Sequence, residues 1–317
     1  MKCKKLLLLV SLIPLVSCSK NTMIESRVFY FDTLVDIKLY DGNQGDMKFV
    51  KQLLQSIDEV ADRYHQRSVN NVYTINETNE VVTVNEVLYN LLFTAYNVKN
   101  ELATYFNPLC GSLSDLWKDS LAEQTLPNDE DIASEVSKIT TSSLQFSDGC
   151  YIQRVGDATI DLGGIAKGFA LDYVRDYLYN GNKKQYLLNA GSSSILLGEK
   201  NQDNGYFTIG IADLPSSYLK LKNCFISTSS KAVQGVTIDG VKYSHIVNPT
   251  TGSAINLNDA VIVVSSKGYL GDALSTSMMM NTIEEIQDIE TSLGVKTIVI
   301  RNGQKVYSHP DLRIYHR

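Results

Sequence analysis

Residues 161–168 read D-L-G-G-I-A-K-G, a run whose residue types can bring bare backbone up to a phosphate. Gly163 and Gly164 lack a Cβ, so the chain can turn there, with positive φ if needed, and leave room for an anion. Apolar residues at Ile165, Ala166, Phe169, Ala170, Tyr173, Val174, Tyr177 and Leu178 then mark one buried helical stripe. The start of such a helix offers unpaired N–H groups and partial positive charge, to which Lys167 adds a full one. The apolar run 158–162 reads as a strand leading in, which makes the glycine pair a strand-to-helix turn. A turn that serves packing alone has the same residues.

Two further constellations carry chemistry. In G-D-A-L-S-T (271–276), Asp272 and Thr276 are four apart, which puts a carboxylate and a hydroxyl on one face of a helix beginning near Gly271. Such oxygen donors suit Mg²⁺, which is usually held by one or two carboxylates together with substrate phosphates. An aspartate capping its own helix is the alternative. In H-I-V-N-P-T-T-G (245–252), His245 closes a strand before a Pro-Thr-Thr-Gly turn. With an ordinary pKa of ~6.5 it is a candidate proton acceptor or a structural histidine. The other histidines are His65, His309 and His316, the last two in the C-terminal tail.

The elements that must position these residues follow from periodicity. Residues 28–40 alternate as strands. Helices are expected from about 47 to 64, from about 85 to 105, and from an acidic start at 128–131; a loop with aromatic content fills the stretch after the second of these. After the diglycine helix, strands dominate at 185–188, 194–197, 206–211, 218–221 and 236–241, with a buried strand at 260–264. A final hairpin turns at Asn302-Gly303. The sequence shows no repeat and no linker, so one compact α+β unit with mixed or antiparallel sheets and packed helices is expected.

The chain has 317 residues, 44% of them hydrophobic and 20% charged, with a formal net charge of -6. That balance suits a soluble enzyme and argues against nucleic acid as the main partner. At the N-terminus, three lysines within residues 1–5 precede an apolar run at 6–16 that is too short to span a bilayer as a helix. This is the pattern of a signal peptide (1–17). Leu15-Val16-Ser17-Cys18 resembles the lipobox of bacterial lipoproteins, with Cys18 as the acylated residue, residues 18–26 as a tether and 27–317 as the folded domain. The location implied is the extracytoplasmic face of a bacterial membrane, held by a lipid anchor. Cys110, Cys150 and Cys224 show no C-x-x-C spacing and read as small core hydrophobes, without a disulfide or zinc site.

Taken together and in this order, the three motifs resemble the ApbE-like family of FAD:protein FMN transferases. Weaker likenesses are Phe31-Asp32-Thr33, the stretch from Tyr64 to Ser68 with Asn71, and Phe106-Asn107-Pro108. The resemblance implies a T-fold-like architecture. It also implies transfer of FMN from FAD to a Thr or Ser hydroxyl of a flavin-acceptor protein through a phosphoester bond, with release of AMP. Mg²⁺ is implied on Asp272, Thr276 and the Ala166 carbonyl. FAD, as substrate, is implied against Phe31, Tyr64, Phe106, Asn107, Asp161, Lys167 and Ile246, with Asp161 on either adenosine or ribityl hydroxyls. His245 is the expected general base. The chain departs from the family pattern at Asn107, where aspartate is common, in Gly191-Ser192-Ser193-Ser194 after Asn189-Ala190, where the family often has Gly-Gly-Asp, and at Ser230, where the family's Thr-Ser-Gly has glycine. An FAD pyrophosphatase releasing FMN and AMP, and a flavin- or solute-binding lipoprotein without turnover, are the alternatives.

Overall fold

The computed structural model describes residues 23–200, 203–254 and 256–316, so the expected leader, Cys18 and the first part of the tether lie outside the described residues. In chain order the elements are β1 (Ile24–Tyr30), β2 (Thr33–Leu39), α1 (Gln44–Ala61), α2 (Val72–Asn76), β3 (Val81–Thr83), α3 (Glu86–Glu101), α4 (Gly111–Ala122), α5 (Asp129–Thr141), β4 (Ser143–Ser147) and β5 (Tyr151–Val155). They continue with α6 (Ala166–Asn180), β6 (Tyr186–Ala190), β7 (Ser194–Leu197), β8 (Phe207–Gly210), β9 (Ser217–Leu221), β10 (Cys224–Ser230), α7 (Lys231–Gln234), β11 (Val236–Ile238) and β12 (Val241–Tyr243). The last are β13 (Ala260–Ser265), α8 (Gly268–Ser277), α9 (Ile283–Leu293), β14 (Lys296–Arg301), β15 (Gln304–Ser308) and β16 (Tyr315–His316).

An eight-stranded sheet in the order β1-β2-β6-β7-β10-β13-β14-β15 forms the middle layer, and neighbouring strands in it run antiparallel. The α+β expectation holds. Both faces of this sheet are covered, which is why β13 reads as a continuous apolar run with every residue buried. Val261 and Val263 face the helical layer, while Ala260, Ile262 and Val264 face a smaller sheet of β16-β9-β8 through Phe207, Leu219 and Leu312. The helices α1, α3, α6 and α8 bury their apolar stripes on the first face. A third sheet, β3-β5-β4, packs beside α3, where Phe146 meets Tyr89 and Phe93 edge-on.

The large sheet consists of two consecutive four-stranded halves. Each has two strands, a helical excursion, then two strands: β1-β2-β6-β7 and β10-β13-β14-β15. No repeat was expected from the sequence, because this duplication is one of topology and alternation and needs no matching residues. One short echo exists, Gly-Phe-Ala-Leu-Asp at 168–172 and Gly-Tyr-Leu-Gly-Asp at 268–272.

Several sequence expectations are corrected. β1 begins at Ile24, so the last residues assigned to the tether belong to the sheet. The stretch read as loop contains α4, whose buried Leu113, Trp117 and Leu121 form a stripe only one residue per turn wide. β10 was passed over because four of its seven residues are Ser or Thr, which blurs the apolar alternation. Residues 158–162 are not in a sheet. Their polar groups instead bond loops: Ile160 N–H donates to Asn76 Oδ1 (2.7 Å) and Asp161 N–H to the Pro108 carbonyl (2.8 Å). Among the described residues the three cysteines are free and partly buried, packed as small hydrophobes against the two apolar clusters, and burial pushes the Cys110 and Cys224 thiols up to about 12.

Candidate functional site

The site is built where α6 meets α8. Neither helix has a side chain of its own at its N-cap bonding its first turn, and each is capped by the other. The Gly168 N–H, in the first turn of α6, donates to Asp272 Oδ2 of α8 (2.6 Å). The Tyr269 N–H, in the first turn of α8, donates to Asp172 Oδ2 of α6 (2.9 Å). This exchange requires the backbones to touch. A Cβ on Gly168 would lie 2.1 Å from the Gly268 carbonyl oxygen, and one on Gly268 would lie 2.2 Å from that of Gly168. Carboxylates at helix starts meet the positive end of the dipole, so each aspartate steadies the partner helix. The capping aspartate foreseen at 272 is real, but it caps the neighbouring helix, since α8 begins at Gly268, one turn before the expected start.

Asp272 is buried, and its other oxygen accepts from two hydroxyls, Ser194 Oγ (2.8 Å) and Ser227 Oγ (2.7 Å). Those serines are direct cross-strand partners on β7 and β10. Burial pushes the Asp272 carboxyl above its usual range, while the nearby Lys167 charge, the two hydroxyls and the Gly168 N–H pull it back. Ser194, which follows the Gly191-Ser192-Ser193 turn, thus supports the carboxylate directly.

The diglycine turn closes over this carboxylate. Neither Gly163 nor Gly164 has a positive φ, so conformational freedom is not what the turn requires of them. Gly164 is required by close approach: a Cβ there would sit 3.2 Å from the Phe106 ring and 3.4 Å from Thr276 Oγ1. Phe106 is therefore a buried floor under the turn and not an open stacking surface. Asn107 Oδ1 accepts from the Leu109 N–H (3.0 Å) and shapes the same loop, which is tied to α8 by the Tyr105 N–H on Ser277 Oγ (3.0 Å). Ala166 opens α6 one residue before Lys167, whose Nζ reaches back to the Gly163 carbonyl (3.4 Å). Thr276 Oγ1 bonds the Asp272 carbonyl (3.2 Å) and lies 3.4 Å from Ser229 Oγ.

One wall is made by residues the motifs did not single out. The buried Arg63 pairs with Asp115, with Asp161 Oδ2 (3.6 Å) and with the Tyr64 hydroxyl (2.9 Å). Its guanidinium lies 4.5 Å from the Tyr64 ring centroid, with Lys118 Nζ 5.2 Å from the same ring, so an exposed aromatic face is flanked by two cations. Asp161 Oδ1 accepts from the Gly163 N–H (2.7 Å) and so joins this wall to the turn. The signal for Arg63 was its place beside Tyr64 at the end of a helix; Ser194, Ser227 and Asp172 gave no signal of their own.

His245 lies in a loop after β12, not on a strand as expected, because the chain from 244 to 254 closes on itself. Ser244 N–H bonds the Ala254 carbonyl (3.0 Å), and Asn248 Oδ1 accepts from Thr250 and Thr251 N–H in the expected turn. Trp117 Nε1 holds the Gly252 carbonyl (2.7 Å), and Ile246 is buried beneath the loop. His245 keeps a solvent-exposed face, yet the surrounding chain, then the Lys167 charge, lower its pKa below the ordinary value, against an opposing pull from Asp161. Phe31 lies at the positive-φ tip of the β1–β2 hairpin, with its N–H on Asp58 Oδ1 (2.7 Å) of α1.

Residues 31–299 match the ApbE family. The chain belongs to that family. Among relatives, it is 25% identical over 280 residues to the FAD:protein FMN transferase of Klebsiella pneumoniae, covering 83% of this chain and 85% of that one. It is 24% identical over 264 residues to that of Vibrio cholerae, covering 78% of each. In fold, this ApbE-family chain matches the ApbE protein of Thermotoga maritima with a TM-score of 0.76 at 23% identity, over 93% of this chain and 97% of that one. The flavin transferase ApbE of Vibrio cholerae matches with a TM-score of 0.73 at 20% identity, again over 93% and 97%.

Proposed function

We propose that this protein transfers FMN from FAD to a Thr or Ser hydroxyl of a partner protein. Its relatives carry the coarser reading, a flavin transferase. The finer reading rests on one observation: a buried carboxylate with no direct ion pair among the described residues, Thr276 and the start of α6 with its Lys167 come together beside the diglycine turn. In the reaction, the acceptor oxygen forms a bond to the FMN phosphorus while the bond from that phosphorus to the bridging pyrophosphate oxygen breaks. AMP leaves with the bridging oxygen, and the acceptor proton passes to His245, whose lowered pKa keeps it neutral and ready to accept. Lys167 neutralises phosphate charge, and Tyr64 offers its face to a flat ring.

Asp272, Thr276 and the Ala166 carbonyl would hold Mg²⁺. The donor chemistry fits: the buried Asp272 carboxylate and the Thr276 hydroxyl, one turn apart on α8, offer oxygens, and Mg²⁺ takes few protein ligands, usually oxygens shared with substrate phosphates. When bound, the ion supplies charge neutralisation at the pyrophosphate. Cys18 would anchor the mature protein through acyl chains at the extracytoplasmic face of a membrane.

The test is mass spectrometry after incubation with FAD, Mg²⁺ and an acceptor peptide. The expected result is an FMN-sized mass gain on a peptide hydroxyl with stoichiometric AMP, lost by orders of magnitude in Asp272→Ala. AMP and FMN release without peptide modification would favour the pyrophosphatase. Flavin binding with no AMP under any metal condition would leave only a binding protein.

A further inference from the structure

The three-stranded β16-β9-β8 sheet turns one face inward, and its other face has a composition unlike the rest of this acidic chain. Along β9, Ser217, Leu219 and Leu221 point to the core, so Tyr218 and Lys220 point out, followed by Lys222. Across the strands, Tyr218 is the partner of Tyr315 and the two rings stack with centroids 5.4 Å apart. Lys220 Nζ lies 5.2 Å from the Tyr315 ring and the exposed Arg313 guanidinium 5.0 Å from it, while Lys222 Nζ lies 4.8 Å from the Tyr206 ring. The outward positions of these strands carry no carboxylate; Thr208 and Gly210 complete β8. Three cations held against two tyrosine rings, with a third ring stacked beside them, form a surface in which charge and amphipathic ring lie together.

Two observations choose its occupant. The described chain begins at the same end of the molecule: Ile24 pairs with Leu39, and the next residue, Tyr40, meets Phe207 of β8 with ring centroids 6.1 Å apart. Five residue steps lead from Met23 back to Cys18, a reach of at most ~18 Å. The face also lies on the side of the large sheet away from the site, since on β10 Ser227 points to Asp272 while Cys224 and Ile226 point to the small sheet. We propose that this outward face docks on the anionic headgroups of a phospholipid bilayer and turns the Asp272 site away from it. The choice of a membrane rests on the lipid-anchor reading. Tyrosines and basic side chains together are the residues that settle at a headgroup layer.

The test uses the acyl-free protein from Met23 onward, which contains both apolar clusters and every sheet, in co-sedimentation with vesicles. Vesicles of equal parts phosphatidylglycerol and phosphatidylcholine should bind it, pure phosphatidylcholine should not, and salt should weaken binding. Lys220→Glu with Arg313→Glu should lose roughly thirtyfold or more in affinity, at about fivefold per basic side chain near an anionic surface. Lys48→Glu with Lys305→Glu, the same charge change at exposed positions elsewhere, should lose far less. Both pairs should melt like the parent and modify a soluble acceptor peptide at the parent rate. No binding to the mixed vesicles, equal loss in both pairs, or capture of polyglutamate without capture of vesicles overturns the proposal. The anchor reading is checked separately by the mass of the Cys18 peptide from membrane-extracted protein.

Discussion

At the scale of single residues, Asp272 is a carboxylate removed from water and held by three neutral donors, with Lys167 the nearby positive charge. The same lysine also acts on His245, and it lowers both pKa values, because a positive charge favours the carboxylate and disfavours the imidazolium. Lys167 lowers the His245 pKa and Asp161 raises it. The titration of the His245 ring proton by NMR should therefore show a midpoint below ~6.5. It should move up in Lys167→Met and down in Asp161→Asn. Movement of both variants in one direction would show that His245 does not sense these charges. If His245 is the base, the acidic limb of turnover follows the same midpoint, because the competent neutral form is present above it and lost as pH falls through it. The residues of this site were legible in unequal measure. Asp161, Lys167, His245, Asp272 and Thr276 stood in spaced motifs, whereas Ser194 and Ser227 act only through a strand pairing that no local pattern announces.

At the scale of elements, α6 and α8 each lack an N-cap of their own and borrow one from the other. Asp172 touches nothing in the proposed chemistry, yet it fixes the start of α8 and with it the depth of Asp272. Asp172→Ala should cost about 1–2 kcal/mol of stability, the usual range for a lost cap. It should lower turnover more than flavin affinity, a split that unfolding alone would not produce. Gly168→Ala meets the Gly268 carbonyl and should destabilise by about 1–3 kcal/mol or more, as overpacking does. Chemical denaturation with activity measured on the folded fraction checks both. Strong apolar stripes located α1, α3 and α6 in the sequence. The one-sided stripe of α4 and the serine-rich β10 were illegible for the same reason: each spends its residues on the site or its supports instead of on a broad apolar face.

At the scale of the whole molecule, a buried carboxylate with no direct ion pair among the described residues makes the fold sensitive to a divalent ion. Mg²⁺ at about a hundredfold over its dissociation constant should add about 2.7 kcal/mol of stability. For a chain of this size that raises the melting temperature by about 4 °C. The shift should vanish in Asp272→Asn; its persistence there would place the ion elsewhere. Among the described residues no helix is long and apolar enough to cross a membrane. The duplicated plan of the large sheet was invisible in the sequence because each half keeps only alternation and order. Its middle is where β7 meets β10, and the pair that grips Asp272, Ser194 opposite Ser227, spans that junction. A slip of one residue between those two strands would send one hydroxyl to the far face of the sheet. Catalytic competence is thus a readout of how faithfully the two halves find their alignment during folding, and neither half alone can assemble the grip on the carboxylate.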